Sequence, residues 1–400
     1  MKVSGIVCEY NPFHSGHLYH IQQTRKNGAT HIVSVMSGSF VQRGDAAVMD
    51  KIKRARLAVK SGVDLVIELP VQYSLSPAES FASGAVWLLN SLGAVDELSF
   101  GSECGDVRTL VDALEKTDEV AARKKADILD IMEKGYTYPR ALSSVVSGEY
   151  PRAAEIISEP NNTLAVEYLR AMKRMKSKMI PFTVMRSGAP HDSKEADKGF
   201  VSASFIREKI LSGTKNFSLN DYTTPLWADA IREAERNGRI GSFDRLERVL
   251  LYRLRMASPD EIAELFDVGQ GLENRIYNAR MSGSLEELLF SVKTKRYTMA
   301  RIKRILLSLL IGIKRSDMAY MPQYGRILAF NERGTEILAR AKGKASIPYS
   351  PSLAALARKN NVTKRFAELE SRASDIYGLS LEKITSSDED FRAKIMLDLE

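Results

Sequence analysis

VSGIVCEYNPFHSGH, residues 3–17, is the stretch that decides the fold. It joins a β-branched apolar run to a turn that contains Pro12, Gly16 and the histidines His14 and His17. Similar runs return at intervals of about 30 residues with helix-like segments between them, which is typical of repeated strand–helix–strand units. The later runs are HIVSVMSG, VDLVIELP and ELSFGSE. We therefore predict an α/β fold, with a Rossmann-like domain whose parallel sheet is covered on both faces.

Each of these four runs is followed by a polar loop, and the four loops should meet at one edge of the sheet. In open parallel sheets, ligands bind beyond the carboxyl ends of the strands. A fifth strand, in MIPFTVMRSGAPHD, would bring Arg186 and His191 to the same edge. The segment SEPNNTLAVEYLRAM would return there through a helix capped by Asn161 or Asn162. This edge is the predicted ligand site.

The chain changes character at residues 216–225, NFSLNDYTTP, where turn residues interrupt the pattern. Beyond this point the sequence reads as almost wholly helical. All five histidines precede it. We predict a catalytic domain at residues 1–215 and a basic, mainly α-helical domain at residues 226–400.

Composition and charge limit the partners. The chain has 44% hydrophobic residues, yet no run approaches the roughly 20 apolar residues of a membrane span. With no cleavable signal pattern, we expect a cytoplasmic protein without a membrane partner. The net charge of +8 favours polyanionic partners. Nothing in the sequence indicates an oligomeric state.

The two cysteines, Cys8 and Cys104, are too few and too isolated for a disulfide framework. We predict that both are small buried residues. Cys8 lies inside the first apolar run with no flanking base, so we do not expect an acyl-carrying thiol.

The His-x-Gly-His turn suits triphosphate chemistry. Gly16 allows close approach of the backbone, and a helix that begins near His17 would offer its free N–H groups to an anion. Donors from His14 and His17, aimed at an α-phosphate that gains charge on attack, would lower the barrier. From spacing alone, a surface pair of histidines and a metal site remain alternatives. The metal site is the weaker one, because no acidic or cysteine partner stands at a helical offset.

Two signatures in order carry a family resemblance. HSGH, residues 14–17, resembles the HIGH signature of the adenylyltransferase superfamily, and SASFIR, residues 202–207, resembles its second, serine-and-arginine signature. Longer strings are similar to those of the bacterial tRNA(Met) cytidine acetate ligase family. They are GIVCEYNPFHSGHLYHI, VMSGSFVQRGDAA, DLVIELP, FGSE, PNNTLAVEYL and KTKRYTMARIKRILL.

The resemblance implies a HIGH nucleotidyltransferase-like fold and an ATP-dependent ligase that makes acetyl-adenylate. It further implies transfer of the acetyl group to the wobble cytidine of elongator tRNA(Met), which forms N4-acetylcytidine. ATP and acetate are the implied small substrates, and Mg²⁺ is expected with the triphosphate, without protein metal ligands. His14, His17 and Arg186 are the implied catalytic residues. The implied ATP site consists of Val7, Asn11, Pro12, Phe13, His14, Ser15, Gly16, His17, Leu18, His20, Gly101, Asn161, Asn162, Arg186, Ser204 and Arg207.

Arg43 and Asp45 lie in the second polar loop, where a small carboxylate or the cytosine could bind. A polar turn before a helix explains them equally well. His191 is interpreted as a loop histidine that helps to order the site.

Residues 293–315, KTKRYTMARIKRILLSLLIGIKR, contain eight basic residues and no acidic one. Apolar residues at helical spacing predict one buried face, with Arg301 and Arg304 facing outward. A solvated helix face and a membrane-surface helix are alternatives. We predict that this segment binds RNA phosphates and that Tyr297 stacks on a base or ribose. The predicted RNA-binding residues are Lys293, Lys295, Arg296, Tyr297, Arg301 and Arg304.

Two other functions are compatible with parts of this pattern. A nucleotidyltransferase that makes a small adenylylated product would leave the basic helical region unexplained. An RNA-binding module with an inactive nucleotide-binding head would not need the intact His14, Gly16 and His17.

Overall fold

The structure is a computed structural model that describes residues 1–186, 202–214, 217–269 and 271–393. Within these ranges, a seven-stranded sheet has the strand order β5-β4-β1-β2-β3-β6-β7. The first five strands in sequence pair in parallel, β6 pairs antiparallel with β3, and β7 is parallel to β6. The strands are β1 Val3–Cys8, β2 His31–Ser37, β3 Leu65–Leu69, β4 Glu97–Ser102, β5 Ile180–Met185, β6 Gly325–Phe330 and β7 Tyr349–Ser350.

Helices cover both faces of the sheet, as the near-continuous apolar strands predict. In the first half they are α1 Ser15–Lys26, α2 Lys51–Lys60, α3 Val71–Ser74, α4 Ala78–Ser91, α5 Val107–Arg123, α6 Lys125–Glu133, α7 Tyr138–Ser147, α8 Pro151–Ser158, α9 Pro160–Arg174 and α10 Ala203–Leu211. In the second half they are α11 Pro225–Arg236, α12 Glu247–Met256, α13 Pro259–Ala263, α14 Leu272–Asn278, α15 Leu285–Val292, α16 Met299–Ile311, α17 Glu332–Ala341, α18 Leu353–Ala357, α19 Asn361–Leu379 and α20 Glu389–Arg392. None of the helices in the described ranges is both long and apolar enough to cross a membrane.

The order of the strands places the predicted ligand edge. Strand β1 lies between β4 and β2, so the chain leaves β1 toward one side and returns to the other side by way of β4. This reversal of strand order is the switch point at which α/β sheets bind ligands. The loops after β1, β4 and β5 lie at this point.

The second half of the chain is mainly helical, as predicted, but it also contributes two strands that the sequence did not predict. Strands β6 and β7 extend the catalytic sheet beyond β3. The division into residues 1–215 and 226–400 stays a prediction. The apolar core crosses that boundary, since Phe366 of α19 packs in the same cluster as Val33 of β2.

A buried charge cluster also connects the two halves. Lys51 Nζ lies 2.6 Å from Glu68, 2.8 Å from Asp390 and 3.3 Å from Glu370. Arg326 of β6 lies 3.2 Å from Glu68 and 2.7 Å from Asp390. All five side chains are buried. Burial by itself would lower the pKa of Lys51, but the three carboxylates raise it above the ordinary value. Burial and the neighbouring Glu68 raise the pKa of Glu370 well above its ordinary value. The cluster connects α19 and α20 to β3, β6 and α2.

Candidate active site

The turn after β1 is built around the two histidines. His14 caps α1, and its Nδ1 accepts a hydrogen bond from the Gly16 N–H at 3.1 Å. His17 Nδ1 accepts the N–H of His14 at 3.2 Å, and the two rings stack with centroids 3.8 Å apart. Because both Nδ1 atoms accept, the proton of each neutral ring is on Nε2. The helix begins at Ser15, two residues before the predicted start.

The site keeps its imidazoles neutral. Desolvation lowers the pKa of His17 well below its ordinary value, and the neighbouring His14, Arg186 and His20 lower it further. Desolvation and Arg186 likewise lower the pKa of His20 to about 4. His20 Nε2 lies 2.9 Å from Ser99 Oγ of β4. At neutral pH these rings therefore act as directed hydrogen-bond partners rather than as cations.

Residues beyond position 216 support the His-x-Gly-His turn. The indole of Trp227 stacks on Phe13 with centroids 5.1 Å apart and an interplanar angle of 9°. Thr223 Oγ1 donates to the Phe13 carbonyl at 2.7 Å, and the Ser15 N–H donates to the Tyr222 carbonyl at 3.0 Å. The sequence did not predict these contacts, because nothing local to the turn indicates a partner more than 200 residues away.

Across the edge, Arg186 follows β5 and is held by Asn161. Arg186 Nη1 donates to Asn161 Oδ1 at 2.9 Å, and Asn161 Nδ2 donates to Glu103 Oε1 at 2.6 Å. Desolvation lowers the pKa of Arg186, and the charge of Glu103 opposes this effect. The Arg186 guanidinium nevertheless stays protonated at neutral pH. At Gly101, a Cβ would lie 3.2 Å from both Cγ and Cδ of Arg186, so the absence of a side chain lets Arg186 cross the strand.

Asn161 and Asn162 have different positions. The buried Asn162 accepts through Oδ1 from the N–H groups of Glu103 and Cys104, at 2.9 and 3.2 Å, and so fixes the loop after β4. The prediction that Asn161 or Asn162 caps α9 was wrong. Both lie inside the helix, which begins at Pro160. Glu103 accepts the free N–H groups of Asn161 and Asn162 instead, at 3.2 and 2.7 Å. Sequence reasoning missed Glu103, although its place directly after the fourth strand was a usable signal.

The second signature lies beside the same turn. Ser202 caps α10 by accepting from the Phe205 N–H. Arg207 Nη1 donates to the Asn11 carbonyl at 2.7 Å, and Nη2 donates to Ser204 Oγ at 3.1 Å. Asn11 Oδ1 accepts from the Val48 N–H, whereas its buried Nδ2 has no hydrogen-bond partner among the described residues. Ser204 and Arg207 thus connect α10 to the loop after β1.

Three arginines lie near Glu9, the first residue after β1. Burial raises the pKa of Glu9, and the Gln42 N–H, which donates at 2.7 Å, counteracts it together with Arg207, Arg43 and Arg54. Asp45 in the second loop lies 3.8 Å from Arg207. These contacts favour the interpretation of Arg43 and Asp45 as parts of an ordered polar turn.

The remaining predicted residues surround these groups or lie outside the described ranges. Val7 is in β1, Pro12 is buried in the turn, and Leu18 packs against the apolar core from α1. His191 lies outside the described residues. Cys8 is buried, and burial raises the pKa of its thiol to about 12, as expected for an unreactive thiol, whereas Cys104 is only half-buried.

Comparisons with known proteins agree with this geometry. The family described as HIGH Nucleotidyl Transferase matches residues 1–391. A tRNA(Met) cytidine acetate ligase from Acetivibrio thermocellus is 39% identical over 94% of each chain. One from Thermoanaerobacter sp. (strain X514) is 39% identical over 98% of each chain. The chain belongs to the tRNA(Met) cytidine acetate ligase family.

Solved structures extend the likeness to the whole fold. Apo TmcAL from Thermotoga maritima is 29% identical and superposes with a TM-score of 0.92 over 99% of this chain and 100% of that one. The same protein bound with alpha-thio ATP is 28% identical, with a TM-score of 0.90 and the same coverage. The superfamily predicted from the two signatures and the family predicted from the longer strings are confirmed, and so is the α/β fold with a largely helical second half.

The side chains of the basic segment 293–315 are more buried than the sequence predicted. Helix α16 buries the predicted apolar face, but Arg304 is also buried and lies 3.2 Å from Asp267. Arg301 lies 3.2 Å from the same carboxylate. Tyr297 is buried with Arg301 over its ring, 5.6 Å from the centroid. The prediction that Arg304 faces outward is therefore wrong, because Arg304 is buried against Asp267. Stacking of Tyr297 on RNA stays a prediction.

Basic side chains of α16 contact the second loop of the ligand edge. Lys303 Nζ lies 2.7 Å from Asp45 Oδ1, and Arg304 Nη1 donates to the Gln42 carbonyl at 3.2 Å. Gly44 has a φ of +76°, and a Cβ there would lie 2.6 Å from Lys303 Cβ. This close approach requires glycine. Of the six predicted RNA-binding residues, Lys293 and Lys295 are exposed and Arg296 is half-buried.

Proposed function

We propose that this protein is an ATP-dependent acetate ligase. It activates acetate as acetyl-adenylate and transfers the acetyl group to the wobble cytidine of elongator tRNA(Met), which forms N4-acetylcytidine. The observation that carries the proposal is the stacked His14–His17 pair, with a protonated Nε2 on each ring, opposite an Arg186 fixed by Asn161. Membership of the ligase family and likeness to TmcAL bound with alpha-thio ATP support it.

In the first step, an acetate oxygen attacks the α-phosphorus of ATP and pyrophosphate leaves. The Nε2–H groups of His14 and His17 donate hydrogen bonds to phosphate oxygens whose negative charge increases in the transition state. Neutral donors that are already aligned by the backbone need no reorganisation during the reaction. Arg186 interacts with the same phosphates through its planar guanidinium.

In the second step, the exocyclic amine of cytidine attacks the acetyl carbonyl, AMP leaves, and the amine loses a proton. No protein nucleophile is required, in keeping with the raised pKa of the Cys8 thiol. Among the described residues, no group of three His, Cys, Asp or Glu side chains could hold a metal ion. Mg²⁺ would therefore be bound mainly by the triphosphate and water.

The tRNA body is proposed to lie on the helical region, residues 226–400. Lys293, Lys295 and Arg296 remain the candidates for phosphate contacts from the basic segment. Such contacts position the RNA without reading its sequence. The two substrates, ATP and tRNA, are consistent with a cytoplasmic protein.

ATP–pyrophosphate exchange tests the first step. We expect exchange that depends on acetate, and acetylcytidine when unmodified elongator tRNA(Met) is added. His14→Ala and His17→Ala should each lower exchange at least 100-fold, by analogy with the loss of one transition-state donor. Both should leave tRNA affinity nearly unchanged. If they abolish tRNA binding instead, the histidines belong to an RNA site.

A charge variant tests the position of the tRNA. Lys293→Gln, Lys295→Gln and Arg296→Gln together should weaken tRNA binding and flatten its dependence on salt, because each lost phosphate contact lowers the slope by about 1. Acetate activation without tRNA provides the comparison. An equal loss of both activities would contradict the proposed division of labour between the two halves.

A further inference from the structure

Four large apolar side chains of the second half are exposed on elements that contact one another. Tyr252 and Met256 lie one turn apart on α12, with 66% and 67% of their surface exposed. Met281 ends the 3₁₀ turn Ala279–Met281 and is 79% exposed, and Phe290 of α15 is 82% exposed. Single exposed apolar residues are common, but four on neighbouring elements indicate an interaction surface.

Arginine side chains join these elements. Arg255, on the same face of α12 as Tyr252, donates to the carbonyls of Arg280 and Ser282 at 3.4 and 3.1 Å. Arg275 of α14 donates to the carbonyls of Ser291 and Val292, at 2.5 and 2.9 Å, at the end of α15. A surface cavity of about 560 Å³ lies beside Arg275 and Met281 and is also lined by Asn278, Ala279, Ser282, Glu287 and Ser291.

The charges of this surface favour an anion. Arg255, Arg275 and Arg280 have no carboxylate within ion-pair distance in the described part of the chain, because backbone carbonyls accept their N–H groups. Arg280 also lies over the ring of Tyr277, 3.8 Å from its centroid. The carboxylate that lines the cavity, Glu287, accepts from the Gly283 N–H at 2.8 Å. Three fixed positive charges therefore lie among exposed apolar side chains.

We propose that this arginine–aromatic surface, made of Tyr252, Met256, Met281 and Phe290 with Arg255, Arg275 and Arg280, binds unpaired nucleotides of the tRNA substrate. The proposal rests on the proposed function. Bases stack on Phe290 and Tyr252, and their phosphates contact the arginines, which is the combination used for single-stranded RNA. The volume of the cavity is within the range of small-ligand pockets.

A second copy of this chain fits the surface less well. In a two-fold dimer the same patch faces itself, so the three unneutralised arginines of one copy would approach those of the other. Like charges in such a contact oppose association. An RNA strand brings the opposite charge.

The decisive experiment measures the affinity of unmodified elongator tRNA(Met) for the full-length protein. The double variant Met281→Ser with Phe290→Ser removes stacking surface from side chains that are mostly exposed, so the fold should be retained, as thermal unfolding will show. We expect the Kd for tRNA to rise at least tenfold. The matched control is Leu129→Ser with Ile384→Ser, two apolar side chains exposed elsewhere on the molecule, which should change the Kd less than twofold.

A second variant keeps the proposal testable if the first unfolds. Arg255→Gln with Arg275→Gln retains donors for the backbone carbonyls and should weaken binding while reducing its salt dependence. Unchanged affinity in both variants overturns the inference. So does sedimentation that finds a wild-type dimer and a monomeric Met281→Ser, Phe290→Ser variant. If the wild-type protein itself binds no tRNA, the proposed function fails. If the wild type binds tRNA and both variants bind it equally well, only this further inference fails.

Discussion

Glu103 offers a sharp test of how the site is organised, because its carboxylate connects a helix end to Arg186. It accepts the N–H groups of Asn161 and Asn162 and the side-chain amide of Asn161. Glu103→Gln keeps the shape but replaces one accepting oxygen with an NH₂ group. One of these contacts then becomes donor against donor, and the charge at the start of α9 is lost.

The expected magnitude follows from the contacts. A hydrogen bond to a charged group contributes about 1.5–3 kcal/mol, and an anion at a helix N-terminus adds about 0.3–1 kcal/mol. Part of this loss appears as lower stability and part as disorder of Asn161, which orients Arg186. We expect ATP affinity to fall about tenfold, which corresponds to about 1.4 kcal/mol.

The assay compares KM for ATP in acetate-dependent pyrophosphate exchange with ATP affinity from calorimetry. The matched control is Asp106→Asn. Asp106 also follows β4 and also caps a helix, accepting from the Thr109 N–H at 2.9 Å, but it has no contact with Asn161 or Arg186. Glu103→Gln should raise KM for ATP while Asp106→Asn does not. If both variants lose stability alike and neither changes ATP affinity, Glu103 is structural only and the reasoning is refuted.

Three further predictions concern the buried groups around the site. Lys51→Met leaves three carboxylates with one arginine and should lower the free energy of unfolding by about 3–5 kcal/mol, measured with urea, whereas Lys53→Met at an exposed ion pair should not change it measurably. The pKa of His20 is about 4 in the folded state and about 6.5 in the unfolded chain. The folded protein is therefore more stable at pH values above 6.5, where His20 is neutral in both states, than at lower pH. This stabilisation is lost as the pH falls from 6.5 toward 4, by about 2 kcal/mol at pH 5, so His20→Gln should reduce the drop in melting temperature between pH 7 and pH 5. Trp227→Ala removes the ring stacked on Phe13 and should cost about 3–5 kcal/mol of stability, while Trp227→Phe should retain exchange activity; equal activity in both would mean that the stack does not order the turn.

The parts of the fold that the sequence predicted are those with a local signal. Strands β1 to β4 are short apolar runs between turn residues, and both of their faces are covered, so burial shows in composition. Strand β5 is also an apolar run between turn residues, although it is partly exposed at the edge of the sheet. Strand β6 was missed because its partner, β3, lies about 260 residues earlier in the chain. Six residues such as GRILAF do not distinguish a strand from a buried helix segment by their pattern.

The site follows the same division. His14, Gly16 and His17 act within one turn, so their spacing was informative. Glu103 and Trp227 act through contacts with distant segments, and Asp267 turns Arg304 inward from a loop that precedes α16 by about 30 residues. A basic run in a sequence predicts positive charge, but it does not predict whether the side chains face solvent or the interior. That depends on whether an acidic partner lies nearby in the folded chain.

Two loops of the ligand edge, those after β1 and β2, are held by side chains from the second half of the chain. Trp227 and Thr223 contact the turn after β1, and Lys303 and Arg304 contact the loop after β2. Asp390 reaches Lys51 at the start of α2, which follows that loop. Lys293, Lys295 and Arg296, the proposed phosphate contacts, lie just before α16. RNA bound there could act through α16 and Lys303 on Asp45 in the loop after β2. Packing therefore makes the ligand edge the joint product of both halves of the chain.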